Sequence, residues 1–549
     1  MKIQLIHPPV LLNLDALTAL RPSLPLGLAY IAAVLEKAGH EVGVIDAVSE
    51  APDQVVKAGR LFRMGLSAEQ ISARVEPNTQ AIGISNMWSF SWSIVREMIH
   101  VLRRDHPHLR IVCGGEHFSG LPEHSMQEAP IDFCAIGEGE DTAVALFAAI
   151  AEGREDYSDI PGIVWRRKVA AAVGAGSREG GGVGLLESPG GEDADAGEIV
   201  RNPRRDRTRA LDEIPWPAWH LFDVLKYDEK KLIFGIHYGR TIPILATRGC
   251  PYQCSYCSSP RMWTTRWYAR DPKDVADEIQ HYVEKYGATN FPFQDLTAIL
   301  KRDWILSFAR ELIDRKLQIT WQLPSGTRCE VVDEEVAELV YRSGCRSMNF
   351  APESGSEDTR REIKKRMKTE SLFSAVRASV KHKLNLSCFI VLGFPKDTVA
   401  DLKASVKLAR QLARMGVDDI CCAFFFPLPA TELYDYLIGT GRIRLDDAFL
   451  ETPLHTHDRF ITEERNYCEQ VPAKVLNRYR YTILLNFYAF SFLTHPSRFF
   501  RLVYNVITGR ETTKLDGFFN ETKRKIWLSV KNLFRRRKPA VPEVLPARS

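Results

Sequence analysis

Two blocks of alternating apolar runs and helical periods constrain the fold of this 549-residue chain more than any other feature. In the first block, "KIQLIHPP", "EVGVID", "AIGISN", "RIVCGG" and "DFCAIGE" read as strands. Between them, "PLGLAYIAAVLEKAGH" stops at Gly39 and "SWSIVREMIHVLRRDHP" closes before Pro107, as helices do, and "TAVALFAAIAEG" follows the last strand. Such repetition argues for a parallel, doubly wound, Rossmann-like sheet over 1–150, whose ligands sit beyond the carboxyl ends of its strands. Those ends carry Ser85-Asn86, Gly114-Gly115 and Gly137-Glu138-Gly139.

The second block runs over 236–440. Its expected strands are "TIPILAT", "TNFPFQD", "ITWQLPS", "SMNFAPE", "LSCFIVLG" and "DDICCAFFF", with helices such as "PKDVADEIQHYVEKYG" and "VADLKASVKLARQLARMG" between them. The fold class is therefore α/β: the doubly wound domain, then a (βα)6 partial TIM barrel with its working residues at strand C-termini, then a helical tail over 441–549. A linker over 151–235 joins the two blocks, and its stretch 168–200, rich in Gly, Ala and acidic residues, reads as a flexible surface insertion.

Composition excludes some functions. Apolar residues at 45% and charged residues at 26% are ordinary for a soluble globular protein, and a net charge of +4 suggests no chain-wide nucleic-acid role. Eleven cysteines without a disulfide rhythm, behind an N-terminus that lacks signal-peptide regions, favour a reducing cytoplasm. There, clustered thiols are more often metal ligands than bridges. No apolar run is long enough to predict a spanning helix.

The clustered thiols are Cys250, Cys254 and Cys257, in "TRGCPYQCSYCSSP" just after the first strand of the second block. Closed zinc and iron–sulfur sites take four protein ligands, and the nearest downstream histidine, His281, lies in an expected helix. Three thiolates leave one metal position open, as a catalytic site requires; zinc and unliganded cysteines are the alternatives.

A Cys-x3-Cys-x-aromatic-Cys loop with Tyr256 at the aromatic position, opening a six-step barrel, resembles the radical S-adenosylmethionine superfamily. The resemblance implies that Cys250, Cys254 and Cys257 are the catalytic metal ligands, binding three irons of a 4Fe-4S cluster. The fourth iron would chelate S-adenosylmethionine, and one electron, from a donor such as flavodoxin or ferredoxin, would cleave it to methionine and a 5′-deoxyadenosyl radical. Other family positions are matched less strictly. In "FQD" only Asp295 is carried over, as acceptor for the methionine amino group, because Leu296 replaces a second acid. Arg328 would pair with the methionine carboxylate, and Glu353 and Ser354 would contact ribose or methionine. Gly393 and Pro395 would let backbone approach the adenine, and Pro429, Thr431 and Tyr434 follow a Pro-x-Thr-x-x-Tyr pattern.

The first block resembles the cobalamin-binding domain that precedes the barrel in many such enzymes. Gly114 and Gly115 would permit close approach of a corrin, Ser85 would donate to it, and Glu138 and Gly139 join the candidate contacts. A ligand-free Rossmann-like domain is the alternative. Classical carriers place Asp-x-His-x-x-Gly after the first strand, whereas Asp15-Ala16-Leu17 here lacks the histidine, so no protein histidine is expected on cobalt. His7 and His117 read as loop residues. Methylthiotransferases need three cysteines in this domain, which has only Cys113 and Cys134; these, with Cys421 and Cys422, read as core residues.

In the tail, "KRKIWLSVKNLFRRRK" sets Ile526, Trp527, Val530, Leu533 and Phe534 on one helical face among basic residues. That pattern suits either a helical cap on the barrel or a peripheral contact with the inner face of an anionic membrane; RNA is disfavoured without a binding module. The expected activity is cobalamin-dependent radical methylation of an unactivated carbon in a small molecule, with a lipid or tetrapyrrole favoured. Radical cyclisation without methylation and a non-catalytic sensor are the alternatives.

Overall fold

The computed structural model describes residues 1–14, 16, 21–167, 197–520 and 522–523. Asp15 and Leu17, residues 168–196 of the expected insertion, and the basic tail segment from Arg524 onward lie outside them.

The first sheet has seven strands in the spatial order Glu198–Arg201, Ile163–Arg167, Phe133–Ala135, Arg110–Gly114, Ala81–Ser85, Lys2–His7, Glu41–Asp46. The last five pair in parallel, and the first two add an antiparallel edge. Alternate residues of one strand enter different cores, as a side-chain period of two demands. Ile3 and Leu5 pack with the helices Leu26–Lys37 and Glu140–Ala151 on one face. Ile6, Ile82 and Ile84 pack with Trp92–Asp105 on the other. The sheet is doubly wound, as expected. Two features differ from expectation. Glu198–Arg201, at the end of the stretch read as flexible, forms the outer edge strand by pairing with Ile163–Arg167. A small antiparallel sheet of Val10–Leu12, Leu61–Met64 and Val55–Ala58 interrupts the alternation.

In the second block five parallel strands run in sequence order: Asn290–Pro292, Thr320–Thr327, Cys345–Glu353, Asn385–Leu392 and Asp419–Phe424. The expected first strand pairs through the bridges Thr241–Asn290 and Ile244–Phe293, which completes the six steps. The intervening helices are delimited by chemistry legible in the chain. Asp271 caps the amide of Lys273 at the start of Pro272–Tyr286, and Gly287 ends that helix in the left-handed region. A capping box of Thr398 and Asp401 opens Val399–Met415, which Gly416 closes.

Beyond the barrel, Ala473–Thr494 packs Leu476, Ile483 and Phe487 into the core shared with the last strand, and Ser497–Thr508 follows it. Among the described residues no helix is long and apolar enough to cross a membrane.

Candidate active site at the junction of the two units

The cysteine loop is drawn tight from several directions. Thr247–Arg248 pairs antiparallel with Tyr268–Ala269, closing the loop between them. Gly249 sits at φ +86, where a Cβ would run into the Arg266 carbonyl, so the turn into Cys250 needs glycine. Ser255 N donates to Ile363 O at 3.1 Å, and Leu433 N donates to Ser255 O at 3.0 Å, tying the loop to segments that follow the fourth and sixth strands. All three thiols are free. Burial pushes each upward, Cys257 to about 12, against the opposing field of the Lys365 cation, joined at Cys250 and Cys254 by Arg328. Among the described residues no three His, Cys, Asp or Glu side chains converge on a point that would hold a single ion.

Tyr256 and Lys365 meet on one carboxylate. The Tyr256 hydroxyl donates to Glu353 Oε1 at 2.8 Å, and Lys365 Nζ approaches the same oxygen at 3.0 Å. Glu353 is buried at the end of its strand with φ +64, a costly conformation for a non-glycine residue that this pair of donors holds in place. Lys365 was not singled out from the sequence: nothing in "EIKKRMK" distinguishes it from its neighbours. Arg328 is also at the loop. Its guanidinium lies 3.8 Å from the centroid of Tyr252, between Cys250 and Cys254, and it is engaged by Glu330 and the Arg366 carbonyl. Its Nη1, however, is buried without a partner among the described residues. Thr327 Oγ1, Asn349 Oδ1 and Gln294 Nε2, on or beside the neighbouring strands, are orphaned in the same way. The unspent Arg328 Nη1, on a guanidinium stacked on Tyr252 of the cysteine loop, fits a polar cofactor such as S-adenosylmethionine.

Four expected contacts are committed elsewhere. Asp295 accepts from the Ala246 amide at 3.3 Å and from the amide and hydroxyl of Thr247, so its carboxylate braces the first strand instead of standing open; burial pushes it up to about 6. Ser354 Oγ accepts from Ser356 N at 3.1 Å, shaping the turn after the fourth strand. Gly393, at φ +87, makes room for Leu476, whose Cδ1 a Cβ would meet at 2.9 Å. The Pro395 carbonyl is taken by Glu469 N at 2.8 Å. Both residues are covered by the chain after the barrel, which strand periodicity does not reveal. Thr431 caps Tyr434 N at 3.1 Å, and Gly120 of the first unit packs near Pro429 and Ala430.

At the rim of the first unit, Gly114 faces open space: a Cβ there would meet only Ala135, at 4.0 Å. Gly115, at φ +103, lies against the Asn86 backbone, and Asn86 Nδ2 is buried without a partner among the described residues. Ser85 ends its strand half-buried beside them. An open glycine floor with an unspent amide fits a large ligand such as a corrin. Glu138 and Gly139 do not join that floor. Arg207 Nη2 reaches Glu138 Oε1 at 2.9 Å, Thr208 N donates to its other oxygen at 2.9 Å, and Gly139 packs on Ile31. His117 is a core residue of the short helix Glu116–Gly120, stacked on Trp92 and hydrogen-bonded to Ser89 and Ser125; burial holds it down to about 3. His7 is paired with Asp46 at 2.8 Å under the Tyr227 hydroxyl.

The two rims are joined by buried ions. Arg248, the residue before Gly249, reaches Glu140 at 2.6 Å and Glu138 at 3.6 Å, with its guanidinium 5.4 Å from the Tyr30 centroid. Trp263 Nε1 donates to Glu116 Oε1 at 3.1 Å, and Arg207 donates to the carbonyls of Trp263 and Arg266. The strand ends of the first unit thus clamp the cysteine loop.

Comparison with known proteins matches a family to each unit. Residues 15–147 match the B12 binding domain, and residues 244–409 match the Radical SAM superfamily. The chain belongs to the cobalamin-binding radical S-adenosylmethionine enzymes. The cofactors of this radical enzyme are a 4Fe-4S cluster, S-adenosylmethionine and cobalamin; it acts on a small molecule and needs a reductant. Cytidylyl-2-hydroxyethylphosphonate methyltransferase of Streptomyces wedmorensis is 28% identical over 455 residues, covering 80% of this chain and 82% of its own. The anaerobic magnesium-protoporphyrin IX monomethyl ester cyclase of Synechocystis sp. is 27% identical over 428 residues, covering 77% and 74%. The methyltransferase TsrM of Kitasatospora setae, solved with cobalamin and a 4Fe-4S cluster, superposes with a TM-score of 0.59 at 18% identity, over 89% of this chain and 88% of its own. The cobalamin-dependent radical enzyme OxsB gives 0.63 at 14% identity, over 99% and 82%.

Two outcomes follow from this geometry. Arg248→Met strands Glu140 in the junction, while Glu138 keeps Arg207, and is expected to cost about 3–5 kcal/mol, the range for breaking a buried pair, read by denaturant unfolding; a loss under about 1 kcal/mol would place the pair in solvent. His117 is neutral when folded and titrates near 6.5 when unfolded, so acid favours the unfolded chain. Its share of stability is whole above about 6.5 and is lost as pH falls towards about 3. His117→Phe is expected to flatten the unfolding midpoint across that window.

Proposed function

We propose that Cys250, Cys254 and Cys257 hold three irons of the cluster and that the enzyme methylates an unactivated carbon of a hydrophobic small molecule. The observation that carries this reading is the unspent Arg328 Nη1, stacked on the loop of three free thiols, together with the open Gly114 floor of the first unit. Bound there, the cluster with S-adenosylmethionine supplies hydrogen-abstracting radical chemistry and cobalamin carries a methyl group; flavodoxin or ferredoxin suits the reductant.

The chain's own residues then have defined tasks. Arg328 Nη1 orients a carboxylate by a charge-assisted bond, stiffened by its stacking on Tyr252. Glu353, fixed by Tyr256 and Lys365, presents its second oxygen in one orientation. Lys365 places a buried cation beside the thiolates. Gly114, Gly115 and Ser85 form the corrin floor, with Asn86 as a donor. The clamp of Arg248, Arg207 and Trp263 keeps water out of the seam between floor and loop.

Anaerobic reconstitution is expected to give about four irons per chain, a complement that Cys250→Ala loses; stoichiometric zinc would sink the assignment. With reductant, the loaded enzyme is expected to release 5′-deoxyadenosine and to pass label from S-adenosylmethionine's methyl group into product. A product without label would favour cyclisation, as in the cyclase relatives.

The peripheral membrane reading is favoured by one further observation. Phe500 and Ile507 are 68% and 72% exposed, and Val503 and Tyr504 extend this apolar face of Ser497–Thr508, just ahead of the basic tail. Vesicles of phosphatidylcholine with phosphatidylglycerol are expected to co-sediment the enzyme, and Phe500→Ser with Ile507→Ser to reduce this at least several-fold. Equal sedimentation of the variant would leave Ser497–Thr508 without that role.

A further inference from the structure

Lys365 is buried in a stretch whose other lysines face water. In "RREIKKRMK" the side chains of Arg361, Lys364, Arg366 and Lys368 are exposed, whereas Lys365 is 8% exposed. Its ammonium can donate three hydrogen bonds, and among the described residues its one partner is Glu353 Oε1, at 3.0 Å. Glu353 is buried to the same degree. Burying both ions is costly, and apolar side chains of similar volume would often stabilise as well, so stability alone does not account for the pair.

Backbone contacts on both sides of Lys365 set it against the cysteine loop. Ser255 N donates to Ile363 O at 3.1 Å, and Cys254 Sγ lies 3.8 Å from Lys364 O. Arg328, stacked on Tyr252, donates to Arg366 O at 2.7 Å. Residues 363–366 therefore run along residues 252–255. From there Lys365 reaches the Glu353 oxygen that it shares with Tyr256, the residue just before Cys257.

The cation persists in this setting. Burial disfavours the ammonium, yet the Glu353 carboxylate beside it holds it above the ordinary lysine value. Against burial, which raises all three thiols, Lys365 favours the thiolate of each, and at Cys254 it outweighs the opposing Glu353. Arg328, a second cation at the loop, is paired with Glu330 and keeps Nη1 for a cofactor, so its charge already has a task. The charge of Lys365 does not.

We propose that Lys365 sets the reduction potential of the cluster, its buried ammonium raising the potential so that a milder reductant can supply the electron. This deepens the proposed reading and rests on it for Cys250, Cys254 and Cys257 as ligands. The step is transfer of one electron from the reductant to the cluster. No bond forms or breaks, and the cluster with its thiolates gains one negative charge. A fixed cation kept from water stabilises that reduced state more than the oxidised one, and salt screens it little. Glu353 keeps the ammonium charged, and Tyr256 keeps Glu353 turned towards it.

The test is a redox titration of the anaerobically reconstituted full chain without S-adenosylmethionine, followed by the electron paramagnetic resonance signal of the reduced cluster. Lys365→Met is expected to lower the ratio of reduced to oxidised cluster at a fixed potential about tenfold, or ~59 mV for a one-electron couple. Lys365→Gln, which keeps a hydrogen-bond donor without the charge, is expected to fall alike, and Lys365→Arg to stay near wild type. The double variant Lys365→Met, Glu353→Gln strands no charge and carries the test where a single variant does not fold; its midpoint is also expected below wild type. An unchanged midpoint in Lys365→Met, Lys365→Gln or the double variant overturns the proposal, as does a fall in Lys365→Arg equal to that in Lys365→Met. Iron content tells the two readings apart. A wild-type chain that loads no cluster overturns the cysteine assignment and this proposal with it, whereas a loaded cluster with an unshifted midpoint overturns this proposal alone.

Discussion

The buried contact of Arg248 with Glu140 and Glu138 is the interaction on which the rest of this architecture depends. It joins the residue before the Gly249-Cys250 turn to the last strand-end loop of the corrin-carrying unit, across 108 residues of chain in the Glu140 pair. Desolvating such ions costs several kcal/mol each, which geometry must repay. Here it is repaid by two carboxylates on one guanidinium, a Tyr30 ring beside it and Arg207 completing Glu138. An apolar seam would stabilise as well but would tolerate sliding. A charged one has few arrangements in which every group is satisfied, so it sets how the Gly114 floor faces the thiols.

The same logic operates inside the barrel at Glu353. A positive φ at a buried acidic residue is stored strain, and it persists because Tyr256 from the cysteine loop and Lys365 from beyond the strand both hold Oε1. The cysteine loop, the strand end and the segment at Lys365 are thereby fixed to one another before any cofactor arrives. Preorganisation of this kind matters for a radical enzyme, because the protein's contribution is to orient reactive groups and exclude water.

Local chemistry made much of this legible in the chain. Short apolar runs set between helical periods marked the strands of both sheets, and Gly39 and Pro107 marked where helices end. Three thiols in one loop announced the cofactor. What stayed hidden were the partners that folding brings from afar. Glu138 and Gly393 have the residue types of ligand contacts, yet Arg207 and Leu476 occupy them. His117 looks like a loop histidine until Trp92, Ser89 and Ser125 close round it. Lys365 lies in a charged stretch that resembles solvated surface, and only folding brings it in to Glu353.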